Sequence, residues 1–105
     1  MSDVRTPASP ASPASPTRGA RFLLERTRED GGRAAYRASI LTPDAAYTTT
    51  ALLCDDGTVE LAPTGAPPDL DATLATFAKL TARGAAKRRE DGLPPWPARV
   101  LRWRP

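Results

Sequence analysis

The sequence predicts an α+β domain: a four-stranded antiparallel β-meander with one C-terminal helix packed on one face (ββββα), followed by an extended Pro/Trp/Arg arm. Three observations carry this. Apolar and polar residues alternate within short segments between Arg21 and Ala62. Gly, Pro and Asp clusters separate those segments at short intervals. Beyond Pro68 the apolar residues recur at helical spacing instead.

Residues 1–20 come first and read as a disordered tail. Pro7 to Pro16 runs Pro-Ala-Ser-Pro-Ala-Ser-Pro-Ala-Ser-Pro. Proline at every third position removes backbone donors and fixes φ, and the intervening Ala and Ser offer little to bury. Residues 21–105 are then a single small domain, with 93–105 as its arm. The tail reads as a solubilising spacer; it lacks the repeating aromatic or basic anchor expected of a proline-recognition ligand.

Phe22-Leu23-Leu24-Glu25-Arg26-Thr27 reads as a strand within 21–28, and Asp30-Gly31-Gly32 as the turn after it. In the second strand, 33–42, Tyr36, Ala38 and Ile40 face one way and Arg37 and Ser39 the other. Thr42-Pro43-Asp44-Ala45 turns the chain into a threonine-rich third strand, 46–54. Cys54-Asp55-Asp56-Gly57 is a hairpin signal, and 58–62 a short fourth strand. Short turns imply antiparallel neighbours. Pro63 to Pro68 leaves the sheet.

The helix is expected over 69–91. Asp69 or Asp71 caps its start, and Leu70, Leu74, Phe77, Ala78, Thr81 and Ala85 share one face. Lys87, Arg88 and Arg89 complement the negative end of its dipole. Gly92 and Leu93 form a Schellman-type stop, reinforced by Pro94 and Pro95. Gly84 is an anomaly inside the helix, pointing to close approach or a bend. In the arm, Arg99 to Arg104 reads as a short strand. Leu101 and Trp103 lie on one side, Arg102 and Arg104 on the other.

Composition sets limits on function. The chain has 105 residues, a net charge of +3, one Cys and no His. Without His, the commonest general base and metal ligand are absent. Cys54 has no histidine to activate it and precedes Asp55 and Asp56, so it reads as a small structural residue. Asp55-Asp56-Gly57 lacks the alternating oxygen ligands of a calcium loop and reads as a turn. Catalytic residues, metal ligands and a cofactor are therefore not expected, and the chain reads as a non-enzyme. One cysteine precludes an internal disulfide. No apolar run is of membrane-spanning length and no secretory signal leads the sequence. Those features place the protein in the cytoplasm, away from membranes. Cations number thirteen Arg and two Lys. With abundant Ala, Pro and Gly, that bias points to GC-rich codons and a bacterial genome.

The charge is unevenly distributed: residues 22–68 carry −3 and residues 93–105 carry +3. The basic end also holds both tryptophans. Trp96, Arg99, Arg102, Trp103 and Arg104, close after Lys87, Arg88 and Arg89, form the candidate binding constellation. Trp and Arg are the usual anchors of protein interfaces. Arginine and indole also suit phosphate contact and base stacking. Packing of both indoles into the small core is the competing structural role.

The function expected from these residues is a small, non-enzymatic binding or adaptor protein acting through protein–protein contacts, as a homodimer or with another protein. The alternative is a single-stranded nucleic-acid-binding protein using the same arm. One helix about 10 Å wide leaves much of a four-stranded sheet about 19 Å across uncovered. That opposite face would carry Leu23, Ala35 and Leu41 among Glu25, Arg37 and Ser39. The order ββββα over about 22–91 resembles Pur-type and whirly-type single-strand-binding modules. The resemblance implies a dimeric nucleic-acid binder, is one of element order only, and departs from those modules in its net acidic strand segment.

Overall fold

The computed structural model describes residues 18–105. The Pro-Ala-Ser repeat lies outside these described residues. Five strands and one helix follow in order: β1 Ala20–Asp30, β2 Arg33–Leu41, β3 Ala46–Cys54, β4 Val59–Leu61, α1 Pro68–Glu90 and β5 Arg99–Arg104. All five strands join one antiparallel sheet, spatially β4-β3-β2-β1-β5. The α+β class and the meander are as the sequence predicts. The sheet gains a fifth strand because the arm returns across the fold to pair with β1, with Glu25 opposite Arg99 and Ala20 opposite Arg104.

Alternation sorts the two faces. Phe22, Leu24, Ala34, Tyr36, Ala38, Ile40, Ala51 and Leu53 point to the helix side and are buried. Against them α1 lays Leu74, Ala78, Ala82 and Ala85, all fully buried. The small alanines let the helix sit close, while Phe77 reaches over to Phe22 with ring centroids 5.3 Å apart. One irregularity was not foreseen. The β1–β2 register shifts between Arg26 and Arg28, so Thr27 is an extra residue in β1. Its hydroxyl donates to the Ala35 carbonyl at 3.2 Å.

The helix ends differ in how well local rules describe them. The C-terminus is a Schellman motif: Leu93 N–H donates to Arg88 O at 2.8 Å and Gly92 N–H to Arg89 O at 3.1 Å. Gly92 takes φ 75° there. The N-terminus corrects the expectation of an aspartate cap. Pro67 is the N-cap, without a side-chain cap bond, and Pro68 occupies the first turn. Asp71 instead accepts from the Thr64 hydroxyl at 2.6 Å and from the Thr64 amide at 3.4 Å. It ties down the loop that enters the helix.

Candidate functional site

The arm divides into two parts with different physical roles. The first, Pro94 to Ala98, is bonded into the domain at several points. Trp96 is fully buried, and its indole N–H donates to the Gly31 carbonyl at 3.2 Å. The Arg26 guanidinium donates to the Trp96 carbonyl at 2.6 Å, and the Tyr36 hydroxyl to the Pro97 carbonyl at 2.7 Å. Arg26 N–H meets Ala98 O at 2.9 Å and begins the β1–β5 ladder. Burial strips water from the Tyr36 phenol and pushes its pKa up to about 12. The phenol therefore stays a donor throughout the physiological range.

One member of the basic cluster at the end of α1, Arg88, supports the same segment. Arg88 Nε donates to Pro94 O at 2.7 Å. Arg89 meets the Asp55 carboxylate and the Gly31 carbonyl, each at 3.3 Å. Lys87 pairs with Asp91 at 3.4 Å and stays largely in solvent. Trp96 and Arg88 thus hold the arm in place, and Arg89 ties the helix end to the Gly31 turn and Asp55. The sequence groups all three with the surface residues because bonds to Gly31, Pro94 and Asp55 are invisible at that level.

The second part is β5 itself, an edge strand. Residues directly opposite in an antiparallel pair share a face. Val100, Arg102 and Arg104, opposite Leu24, Phe22 and Ala20, lie on the helix side; Arg99, Leu101 and Trp103, opposite Glu25, Leu23 and Arg21, lie on the other. The Arg104 guanidinium donates to the Thr73 hydroxyl on α1 at 2.6 Å. Arg102 folds back onto the Leu101 carbonyl at 2.9 Å. Arg99 has neither hydrogen bond nor ion pair among the described residues.

On the helix-free face, Leu23 is only 4% exposed, although no helix covers it. It sits in register between Ser39 and Leu101, and Ser39 Oγ lies 3.3 Å from Thr48 Oγ1. The arm therefore widens that face by one strand, with Leu101 directly opposite Leu23. Leu101 and Trp103 remain 40% and 52% exposed beside it. Exposed apolar side chains and three arginines thus share one edge strand. Leu101 was missed as a site residue. Its signal was present: its place two residues before Trp103 puts both on one face.

The acidic turn has a local role. Asp56 accepts from the Thr58 hydroxyl at 2.6 Å and the Thr58 amide at 2.9 Å. Those bonds hold its carboxyl below the usual carboxylate range. Among the described residues no helix is long and apolar enough to cross a membrane. No family model, curated protein or solved structure matches the chain.

Proposed function

We propose that this chain is a non-enzymatic binding or adaptor protein that acts through protein–protein contacts made by β5. The observation that carries this is the side-by-side exposure of Leu101 and Trp103 on an edge strand bearing Arg99, Arg102 and Arg104. Aromatic and arginine side chains are the usual energetic anchors of interfaces. The binding set is β5 itself; Trp96 and Arg88 hold the segment that leads into it, while Lys87 and Arg89 lie in the last turn of α1. The partner is a second copy of the chain or another protein. The proposal sets that partnership in a bacterial cytoplasm, a setting the single cysteine and the Arg-, Ala- and Pro-rich composition favour.

The Arg99/Arg102/Arg104→Ala triple variant tests this reading. It keeps the wild-type circular dichroism spectrum and loses a protein recovered by the wild-type chain from extracts of the source cells. A variant that folds and recovers the same protein refutes the reading.

The exposed indole among arginines also fits single-stranded nucleic acid, the second reading. It predicts an anisotropy change with a labelled 20-mer of thymidine that falls steeply with salt. Only one exposed Trp serves as a stacking platform, and Arg88 and Arg89 are engaged in the fold. Protein contact is therefore the preferred reading.

A further inference from the structure

One side of β5 has unpaired backbone. The Arg26–Ala98 bond fixes the phase of the ladder, and bonded pairs recur at every second residue of an antiparallel pair. Val100, Arg102 and Arg104 therefore turn their amides and carbonyls toward β1, and Arg99, Leu101 and Trp103 turn theirs outward. Among the described residues β5 ends the sheet. The Leu101 carbonyl is met only by its neighbour Arg102, an exposed side chain that can be exchanged for another donor.

A groove of about 190 Å³ runs between α1 and this strand. Phe77, Leu80 and Gly84 line it from the helix, and Val100 and Pro97 from the arm. Arg88 and Arg102 complete its walls. Leu80 is 56% exposed there, one of the exposed large apolar side chains together with Leu101 and Trp103 on β5. Gly84 keeps the groove open: a Cβ at that position would meet nothing within 4 Å. Close approach to the sheet is therefore not what the glycine serves.

Charge selects the occupant. β5 carries three arginines and no acid. Antiparallel pairing with a second β5 would gather six arginines across the width of two strands, without acidic residues on either strand to neutralise them. A strand carrying carboxylates meets complementary charge on both faces: Arg99 on one, Arg102 and Arg104 on the other.

We propose that β5 is a strand-addition site for an extended acidic peptide segment of a partner protein, an inference that rests on the protein-contact reading above. The peptide backbone pairs with the outward groups of Arg99, Leu101 and Trp103. On the helix side, alternate apolar side chains enter the groove between Phe77, Leu80 and Val100. On the other face they lie against Leu101 and Trp103. Carboxylates among them meet the arginines. Main-chain bonds supply affinity and alternate side chains supply selectivity.

The probe is a phage-displayed random dodecapeptide library selected against the full chain. The proposal expects enriched peptides with at least two Asp or Glu and apolar residues at alternate positions. No enrichment, or enrichment of cationic peptides, overturns it. With the leading peptide synthesised, amide hydrogen exchange at Leu101 and Trp103 should slow at least tenfold on binding. Gly84→Leu fills the groove where there is room, keeps its fold by circular dichroism, and should weaken the peptide at least tenfold. Binding that depends on Trp103 but leaves both amides unprotected and tolerates Gly84→Leu refutes strand addition and leaves the protein-contact reading standing. Binding of a 20-mer of thymidine in place of any peptide defeats both. A free chain that sediments as a dimer with the Leu101 and Trp103 amides already protected makes a second copy the occupant and also overturns the proposal.

Discussion

Trp96→Ala and Trp103→Ala, made side by side, should differ in stability by about 3–4 kcal/mol. Both indoles sit in one short arm, yet one is fully buried and the other is 52% exposed. Trp96 heads the largest fully buried side chains of the domain. Truncating a buried Trp to Ala typically costs about 3–5 kcal/mol, from lost transfer free energy and the cavity left behind. Loss of the indole bond leaves the Gly31 carbonyl with Arg89 alone, an exposed and weaker partner. A domain of this size is stable by about 5–10 kcal/mol in total. With a urea m-value of about 1 kcal/mol per molar, Trp96→Ala should move the midpoint down by about 3–5 M. Trp103→Ala removes a half-exposed ring from an edge strand and should stay within about 1 kcal/mol of wild type. Urea titration followed by far-ultraviolet circular dichroism is the suitable assay, because both substitutions remove a fluorophore. A Trp96→Ala loss under about 1 kcal/mol, or a Trp103→Ala loss above about 2, would refute the division of the arm into anchor and surface.

Three further outcomes follow from the same structure. Tyr36 titrates near 10 when unfolded and about 12 when folded. Below pH 10 both states are protonated; between 10 and 12 only the unfolded state loses the proton, so stability falls as pH rises through that window, by up to about 2–3 kcal/mol. Tyr36→Phe should cost about 1 kcal/mol at neutral pH, by orphaning the Pro97 carbonyl, and should flatten the alkaline fall in urea midpoint; an unchanged fall would contradict this. Gly84→Ala should raise the melting temperature by several degrees, since helix propensity improves by about 1 kcal/mol where the added methyl has room. A lowered melting temperature would show that the groove wall is closed. Arg26→Met removes the guanidinium that holds the Trp96 carbonyl and should cost about 1–2 kcal/mol in urea titration; a neutral result would show that Tyr36 and the ladder suffice to hold the arm.

The sequence disclosed whatever local chemistry determines. Alternation across Ala34 to Leu41 specified the buried face of β2, because a strand's two faces are fixed by period alone. Gly92 and Leu93 announced the Schellman stop, because that motif needs only its own residues. Long-range partners were hidden. Asp71 looked like a helix cap, but Thr64 in the preceding loop claims its carboxylate. Core packing and surface contact were both open for the two indoles; Trp96 takes the first and Trp103 the second, a division set by Gly31, about 65 positions earlier in the chain, which accepts the Trp96 N–H. The Thr27 bulge has no signal in its neighbours, since it reflects the fit of β1 against β2.

The candidate site was legible to a similar degree. Charge and aromatic content located the arm, and alternation within Arg99 to Arg104 placed Trp103 beside Leu101. The groove was not legible, because Gly84 and Leu80 acquire their meaning only when β5 comes to lie alongside α1. The Arg88 and Arg89 assignments mixed surface with scaffold for the same reason. A cation's partner in the fold cannot be seen from its neighbours in the chain.

The most direct test of a protein contact through β5 is a photocrosslinking residue placed at Trp103 in living source cells. A matched substitution at Ala62, exposed just after the opposite edge strand, serves as the control. The account predicts one dominant protein adduct at Trp103, absent from the Ala62 control, with the crosslink mapping to an acid-rich segment of the captured chain. Adducts to nucleic acid alone, or the same protein captured equally from Ala62, would contradict it.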